Sequence, residues 1–313
     1  RPPHPRSALM NLCLHSDCDV KLAPMRKQYI LFLMIFLTAC RQEISPEAAM
    51  PVVTSVIQTS TPVLITPVPA TPTLTFSPAA ALASGPINII TIGDDLTRGD
   101  GDDMGRGYPG RLLELVSQIR PDSSVANFGQ TGWTSDDLIR GDADFSGQLA
   151  RAVNEVESVT SQGRAAVVLV WVGGNDLWEL YTGKTDVTTE QEEQDLKRFA
   201  ENIDNIFFDL RTAKAEVIIA TLDDQSKRPA QTRSEAYPNI TTDELVRMSM
   251  QVQRYNEIIS EKAANYGALT VDFYGSDIFI QTTTLAADGF HPNPYGYDLI
   301  TQAWYKSLIT ILP

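Results

Sequence analysis

Four short stretches of this 313-residue chain concentrate the side chains that proton-transfer chemistry uses. They are Gly93-Asp94-Asp95-Leu96-Thr97-Arg98-Gly99, Asn127-Phe128-Gly129-Gln130-Thr131-Gly132-Trp133-Thr134, Gly173-Gly174-Asn175-Asp176 and Asp288-Gly289-Phe290-His291-Pro292-Asn293. Together they supply carboxylates, an imidazole and a primary amide, groups that move protons near neutral pH or hold a developing negative charge. Taken singly, each has an ordinary structural explanation. Gly and Asp after a strand punctuate loops, Asn175 could cap a turn, Gly129 could answer to a positive φ, and His291 could be a plain loop histidine.

The elements around these stretches decide between the two readings. Ile87 to Ile92, Ala165 to Val172 and Glu216 to Thr221 are β-branched, nearly all apolar and closed by Gly or Asp, which predicts buried parallel strands. Weaker strands are expected at Ser124 to Phe128 and Ala268 to Phe273. Helical spacing of apolar residues predicts helices over Tyr108 to Ile119, Glu190 to Lys214, Thr241 to Tyr266 and Tyr295 to Ile311. Strands alternating with helices imply an α/β fold of three layers, doubly wound, with about five parallel strands. Such folds bind ligands beyond the carboxyl ends of the strands, and three of the four polar stretches fall there.

In this order and at these places, the four stretches resemble the blocks GDSLTxG, NxGxxGxT, GxND and DxxHPN of the SGNH (GDSL-type) esterases and lipases. The resemblance spans about residues 86–313 and implies the flavodoxin-like SGNH hydrolase fold. It further implies that the backbone N–H of Gly129 and the side-chain amide of Asn175 form an oxyanion hole, that His291 is the base, and that Asp288 orients its ring. The family serine is replaced by Asp95. A carboxylate attacking an ester is a better leaving group than the alkoxide, so the adduct should collapse backwards. At ~4 Å and an effective dielectric near 20, its charge also opposes an oxyanion by about 4 kcal/mol. An imidazole between Asp95 and Asp288 should hold its proton tightly. Two routes stay open: Asp95 as general base for water with His291 as acid, or Asp95 as nucleophile on a carbon that is not an acyl carbon.

Other features have milder readings. The run Asp94, Asp95, Asp100, Asp102, Asp103 departs from the twelve-residue calcium loop, because Met104 and Arg111 fall where oxygen ligands belong, so a solvated loop is expected. No metal and no cofactor is expected. Trp133, Trp171, Trp178 and Tyr181 could form an apolar or sugar-stacking wall, with Trp171 more at home in the core.

The formal net charge of −14 excludes nucleic acid as a partner bound through bulk electrostatics. The cysteines, Cys13, Cys18 and Cys40, all precede the expected domain, so no disulfide framework holds it. Met25-Arg26-Lys27, the apolar run Tyr29 to Leu37 and Leu37-Thr38-Ala39-Cys40 read as a signal peptide over 25–40 whose end resembles a bacterial lipobox, which implies acylation of Cys40. Residues 1–24, ahead of Met25, are expected to be absent from the mature protein. Cleavage before Cys40 would leave His291 as its sole histidine. Residues 41–85, rich in Pro and Thr, read as a disordered tether reaching up to ~100 Å. The expectation is a monomeric lipoprotein at the cell membrane, facing outside the cytoplasm, that hydrolyses small-molecule, glycan or lipid esters, including acyl esters of cell-envelope material. The alternative is a catalytically silent lipoprotein binding acylated or glycan ligands through the same cleft.

Overall fold

The computed structural model describes residues 76–182, 187–230 and 240–313. The expected signal segment, all three cysteines and the tether up to residue 75 lie outside the described residues.

Five strands, β1 (Ile87–Gly93), β2 (Ser124–Asn127), β3 (Ala165–Trp171), β4 (Glu216–Ala220) and β5 (Leu269–Val271), form one parallel sheet in the order β2-β1-β3-β4-β5. This is the flavodoxin-like order, which reverses direction between β1 and β3. Every residue of β1 is buried, as is all but the first of β3, as expected of central strands covered on both faces. Helices α1 (Asp95–Arg98), α2 (Gly107–Ile119), α3 (Ser135–Arg140), α4 (Gln148–Ser161), α5 (Gly174–Tyr181), α6 (Thr189–Thr212), α7 (Thr242–Asn265) and α8 (Pro294–Leu308) connect and follow them. Helices α2 and α8 pack on each other, α2 touching β1 and β2, α8 touching β5. Helix α4 packs with α6 over β1, β3 and β4, and α7 packs against α6, β4 and β5.

Local sequence fixes where these helices begin. Thr134, Thr188 and Thr241 each close a capping box with Asp137, Gln191 and Glu244, and Asn293 caps α8 just before Pro294. Beneath the carboxyl ends of the strands lies an aromatic stack. Trp171 is parallel to Phe273 at 4.3 Å between centroids, and Tyr108 is parallel to Trp304 at 5.2 Å.

Two expectations change. Residues 76–85, read from sequence as the end of the tether, lie against the domain. Leu82 is buried and its N–H donates to the Ile311 carbonyl at 2.8 Å, Phe76 meets Tyr266 at 5.0 Å, and Arg211 Nη2 donates to the Ser77 carbonyl at 3.0 Å. The strip has no charge and no helical or strand period, and its Pro, Ser and Ala continue the composition of the tether, so composition conceals it. The acidic loop is not uniformly solvated either. Asp102 is buried, accepts the backbone N–H groups of Met104, Arg106 and Gly107, and pairs with the buried Arg111 at 2.5 Å. Burial opposes its charge, but the Arg111 bond and those N–H groups hold its carboxyl down at about 2.

Asp102 therefore contributes stability that is present above its ordinary carboxylate value and is lost as pH falls towards 2. Arg111→Met should cost ~3–5 kcal/mol by urea unfolding at pH 7, because it strands a buried charge. Adding Asp102→Leu to it should recover much of that loss.

Candidate active site

The turn from β1 into α1 delivers Asp95. Gly93 has a φ of +154°, and a Cβ there would stand 2.0 Å from the Trp171 carbonyl oxygen. No side chain fits, and the fully buried Gln148 of α4 clamps the glycine by accepting its N–H at 2.7 Å and donating to its carbonyl at 2.8 Å. Asp94 then caps α1 through Leu96 N–H at 3.1 Å. Burial, with the adjacent Asp95 charge, pushes the Asp94 carboxyl well above its usual range. Asp95 is the first residue of α1 and is itself buried.

Around Asp95 the fold assembles three of the four other residues singled out in the sequence. Asn175, in the first turn of α5, donates from Nδ2 to Asp95 Oδ1 at 2.9 Å and to the Trp133 carbonyl at 3.2 Å. His291 Nε2 lies 3.3 Å from Asp95 Oδ2, and its Nδ1 lies 2.6 Å from Asp288 Oδ2. The other Asp288 oxygen accepts the N–H groups of Phe290 at 2.8 Å and His291 at 3.0 Å, so the spacing of the two residues is itself a closed turn. The result is a continuous row: Asp288, His291, Asp95, Asn175.

Electrostatics follow from the row. Burial disfavours charge on both central groups, but their mutual contact outweighs it. The bonds from His291 and Asn175, with the charges of His291 and Arg228, hold Asp95 below the usual carboxylate range. The bonds to Asp95 and Asp288 raise His291 above the usual imidazole value. The row thus favours an imidazolium flanked by two carboxylates, while Asp94 behind them holds its proton more tightly than an ordinary carboxyl.

Gly129 is not drawn into this row. Its N–H donates to Asn127 Oδ1 at 2.9 Å, so the donor expected to face an oxyanion is already engaged. Asn127 also accepts from Thr91 Oγ1 at 2.9 Å and donates to the Thr97 carbonyl at 2.9 Å, stitching β1, β2 and α1 together. The positive φ considered for Gly129 is absent too. Close approach is what demands glycine, since a Cβ would lie 2.4 Å from Arg98 N and 2.7 Å from Thr97 C. Gly129→Ala should lose about 1–3 kcal/mol in thermal or urea unfolding, because the obstruction is backbone and α1 must shift.

The aromatic wall shrinks on inspection. Trp171 is core, Tyr181 is buried with its hydroxyl donating to Glu192 Oε1, and Trp133 is buried with Nε1 donating to Asp142 Oδ2 at 3.0 Å. Trp178 alone of the four remains half-buried, meeting Phe290 edge to face at 5.4 Å. Sequence reasoning gave Asn127 no task of its own within its motif and passed over Gln148, Asp223 and Arg228. Gln148 is the first residue of a helix that the sequence did not mark, and Asp223 and Arg228 sit in a loop with no motif around them. Among the described residues, no group of three or more His, Cys, Asp or Glu side chains is placed to hold a metal ion.

Comparison with known proteins gives three reference points. The chain is 26% identical over 231 residues to the uncharacterized protein YpmR of Bacillus subtilis, spanning 71% of this chain and 81% of that protein. It is 22% identical over 257 residues to a multidomain esterase of Ruminococcus flavefaciens, covering 74% of this chain but only 30% of the esterase. Among solved structures, the psychrotrophic esterase EstA of Pseudoalteromonas sp. aligns at 18% identity and a TM-score of 0.48, over 71% of this chain and 97% of the other. The profile of the GDSL-like lipase/acylhydrolase family matches residues 91–299, which include the turn after β1 at one end and the His291 loop near the other; the chain belongs to that family.

Proposed function

We propose that this chain is an extracytoplasmic, lipid-anchored hydrolase of acyl esters of carbohydrate, lipid or cell-envelope material, working as a monomer with Asp95 as general base and His291 as general acid. The anchor rests on the sequence pattern ending at Cys40. The chemistry rests on one observation: the imidazole lies between two carboxylates, its proton held above the ordinary value while Asp95 stays ionised.

In this mechanism Asp95 takes a proton from water as its oxygen attacks the acyl carbon. The carbonyl oxygen gains the negative charge and replaces one of the two acceptors now on Asn175 Nδ2. The acyl–oxygen bond then breaks, His291 Nε2 gives its proton to the departing alkoxide, and the carboxylic acid is released. Asp95 is left protonated and His291 neutral. Return of the proton from Oδ2 to Nε2, 3.3 Å apart, restores the starting state. No covalent intermediate forms, so the poor stability of a carboxylate adduct ceases to matter.

One observation favours the silent, ligand-binding reading. Asp95 Oδ1 itself occupies the Asn175 amide that a substrate oxygen would need. Hydrolysis of ethyl acetate and ethyl butyrate, whose departing alkoxide needs a proton, by the full chain separates the two. Turnover above background that disappears in His291→Ala supports hydrolysis. Equal inertness of wild type and variant overturns it for simple esters and leaves ligand binding as the reading.

A further inference from the structure

Arg228 follows β4 in a loop, yet it is only 1% exposed. Asp223 takes its Nε at 2.8 Å and its Nη2 at 2.7 Å, a bidentate pair that by itself would be an inert buried salt bridge. The third nitrogen points elsewhere. Nη1 donates to the carbonyl of Phe290 at 3.2 Å, and the guanidinium lies over the ring of Phe290 at 4.3 Å and over that of Phe279 at 4.8 Å. Two residues on, Ala230 N–H donates to the Gly289 carbonyl at 3.0 Å, so the two loops run joined.

Phe290 is thereby gripped on every side. Its N–H goes to Asp288, its carbonyl to Arg228, its ring lies under the guanidinium, and Trp178 meets the ring edge. The next residue is His291. Three rotations separate this anchored peptide from the imidazole, so the grip sets the point from which His291 reaches Asp95. The positive charge of Arg228 also acts on Asp94 and Asp95, on the far side of the same imidazole.

We propose that Arg228 is a positioning residue of this site: it ties the loop after β4 to the loop carrying His291 and so fixes the meeting of His291 with Asp95. The inference rests on His291 and Asp95 being the working pair. The groups around that pair are Asp288 from the imidazole's own loop, Asp94 from the start of α1, Asn175 from α5, Tyr297 from α8, and Arg228, held by Asp223, from the loop after β4. Lysine in place of Arg228 keeps the charge but has no planar fork, so it cannot hold both Asp223 oxygens and the Phe290 carbonyl together.

The test is an NMR titration of the His291 ring in the full chain, its signal assigned by its loss in His291→Ala, in Arg228→Lys and in the double variant Arg228→Met with Asp223→Leu. The double variant removes both charges and leaves neither partner stranded, which protects the fold. Unfolding midpoints are measured beside it. The expected result is a His291 midpoint displaced by roughly half a pH unit or more in both variants, towards the ordinary imidazole value in Arg228→Lys. Any ester turnover should fall about tenfold in kcat with KM little changed. A folded variant that titrates His291 as wild type does would overturn the proposal, whatever its stability. The titration needs no substrate, so displaced midpoints without turnover would uphold Arg228 while removing the hydrolase reading.

Discussion

Asp95→Ser should raise the rate of simple ester hydrolysis by about a thousandfold over the wild-type chain. Three changes act in the same direction. A charge that opposes the oxyanion by about 4 kcal/mol disappears, which alone corresponds to roughly three orders of magnitude. The Asn175 amide loses its Asp95 acceptor and becomes free for the substrate oxygen. His291 loses one of the two carboxylates that raise it, so more of it is neutral at pH 7 and able to take a proton from a hydroxyl. Asp288 remains in place at 2.6 Å to orient the ring. The measurement is initial rates on p-nitrophenyl acetate for both proteins at equal concentration. An unchanged rate would mean that the row of residues no longer faces a usable acyl pocket, and the engaged N–H of Gly129 would be the first suspect.

The second large effect is a reversal in pH dependence. In the proposed wild-type mechanism His291 is the acid and must carry its proton, so the rate should hold below its raised midpoint and fall as pH climbs through it. Asp95 must be ionised, and its midpoint lies below the ordinary carboxylate value, so the acid limb lies at low pH. In Asp95→Ser the same imidazole must be neutral, and the rate should instead rise with pH through its midpoint. Removing the ring by His291→Ala should lower the rate ~10²–10⁴-fold in either background. Profiles of kcat/KM from pH 4 to 9 for wild type and Asp95→Ser distinguish the cases. A wild-type rate that rises with pH through the His291 midpoint, as expected for Asp95→Ser, would rule out the acid role of His291.

A stability measurement has the matching sign. The raised His291 midpoint means that its contacts contribute fully below the ordinary imidazole value and are lost as pH rises through the folded one. Unfolding by urea at pH 6 and pH 9 should therefore show His291→Ala closer to wild type at the higher pH.

The fold was largely legible because its central strands are buried on both faces and leave unbroken β-branched runs. Ile87–Gly93 and Ala165–Trp171 could be placed almost to the residue. Some helices were not, for physical reasons. Asp95–Arg98 is one turn long and too short to show a period, and Gln148–Ser161 begins with a buried glutamine whose task is to hold Gly93 rather than to face water. At the site, Asp95, Asn175, Asp288 and His291 were legible because each sits at a fixed offset within a short motif. Arg228 and Asp223 were not, because their meaning lies in an encounter with Phe290, 62 residues later, that nothing in their own neighbourhood records. Gly129 shows the opposite case. The residue was found, but its sequence context could not distinguish an N–H aimed at substrate from one given to Asn127.

Arg120, at the end of α2, gives the architecture an unusual closure. Its Nη1 donates to the carbonyls of Ala83 at 3.0 Å and Gly85 at 2.8 Å, while Nη2 donates to that of Pro313 at 3.2 Å. One guanidinium thus holds the strip leading into β1 beside residue 313, at the end of the sheet opposite His291. The folded region is a ring in all but covalent connection. Residues 85 and 313 could be bridged by a short linker and the polypeptide reopened at a distant surface turn, a circular permutation that would leave the order of the strands in space untouched.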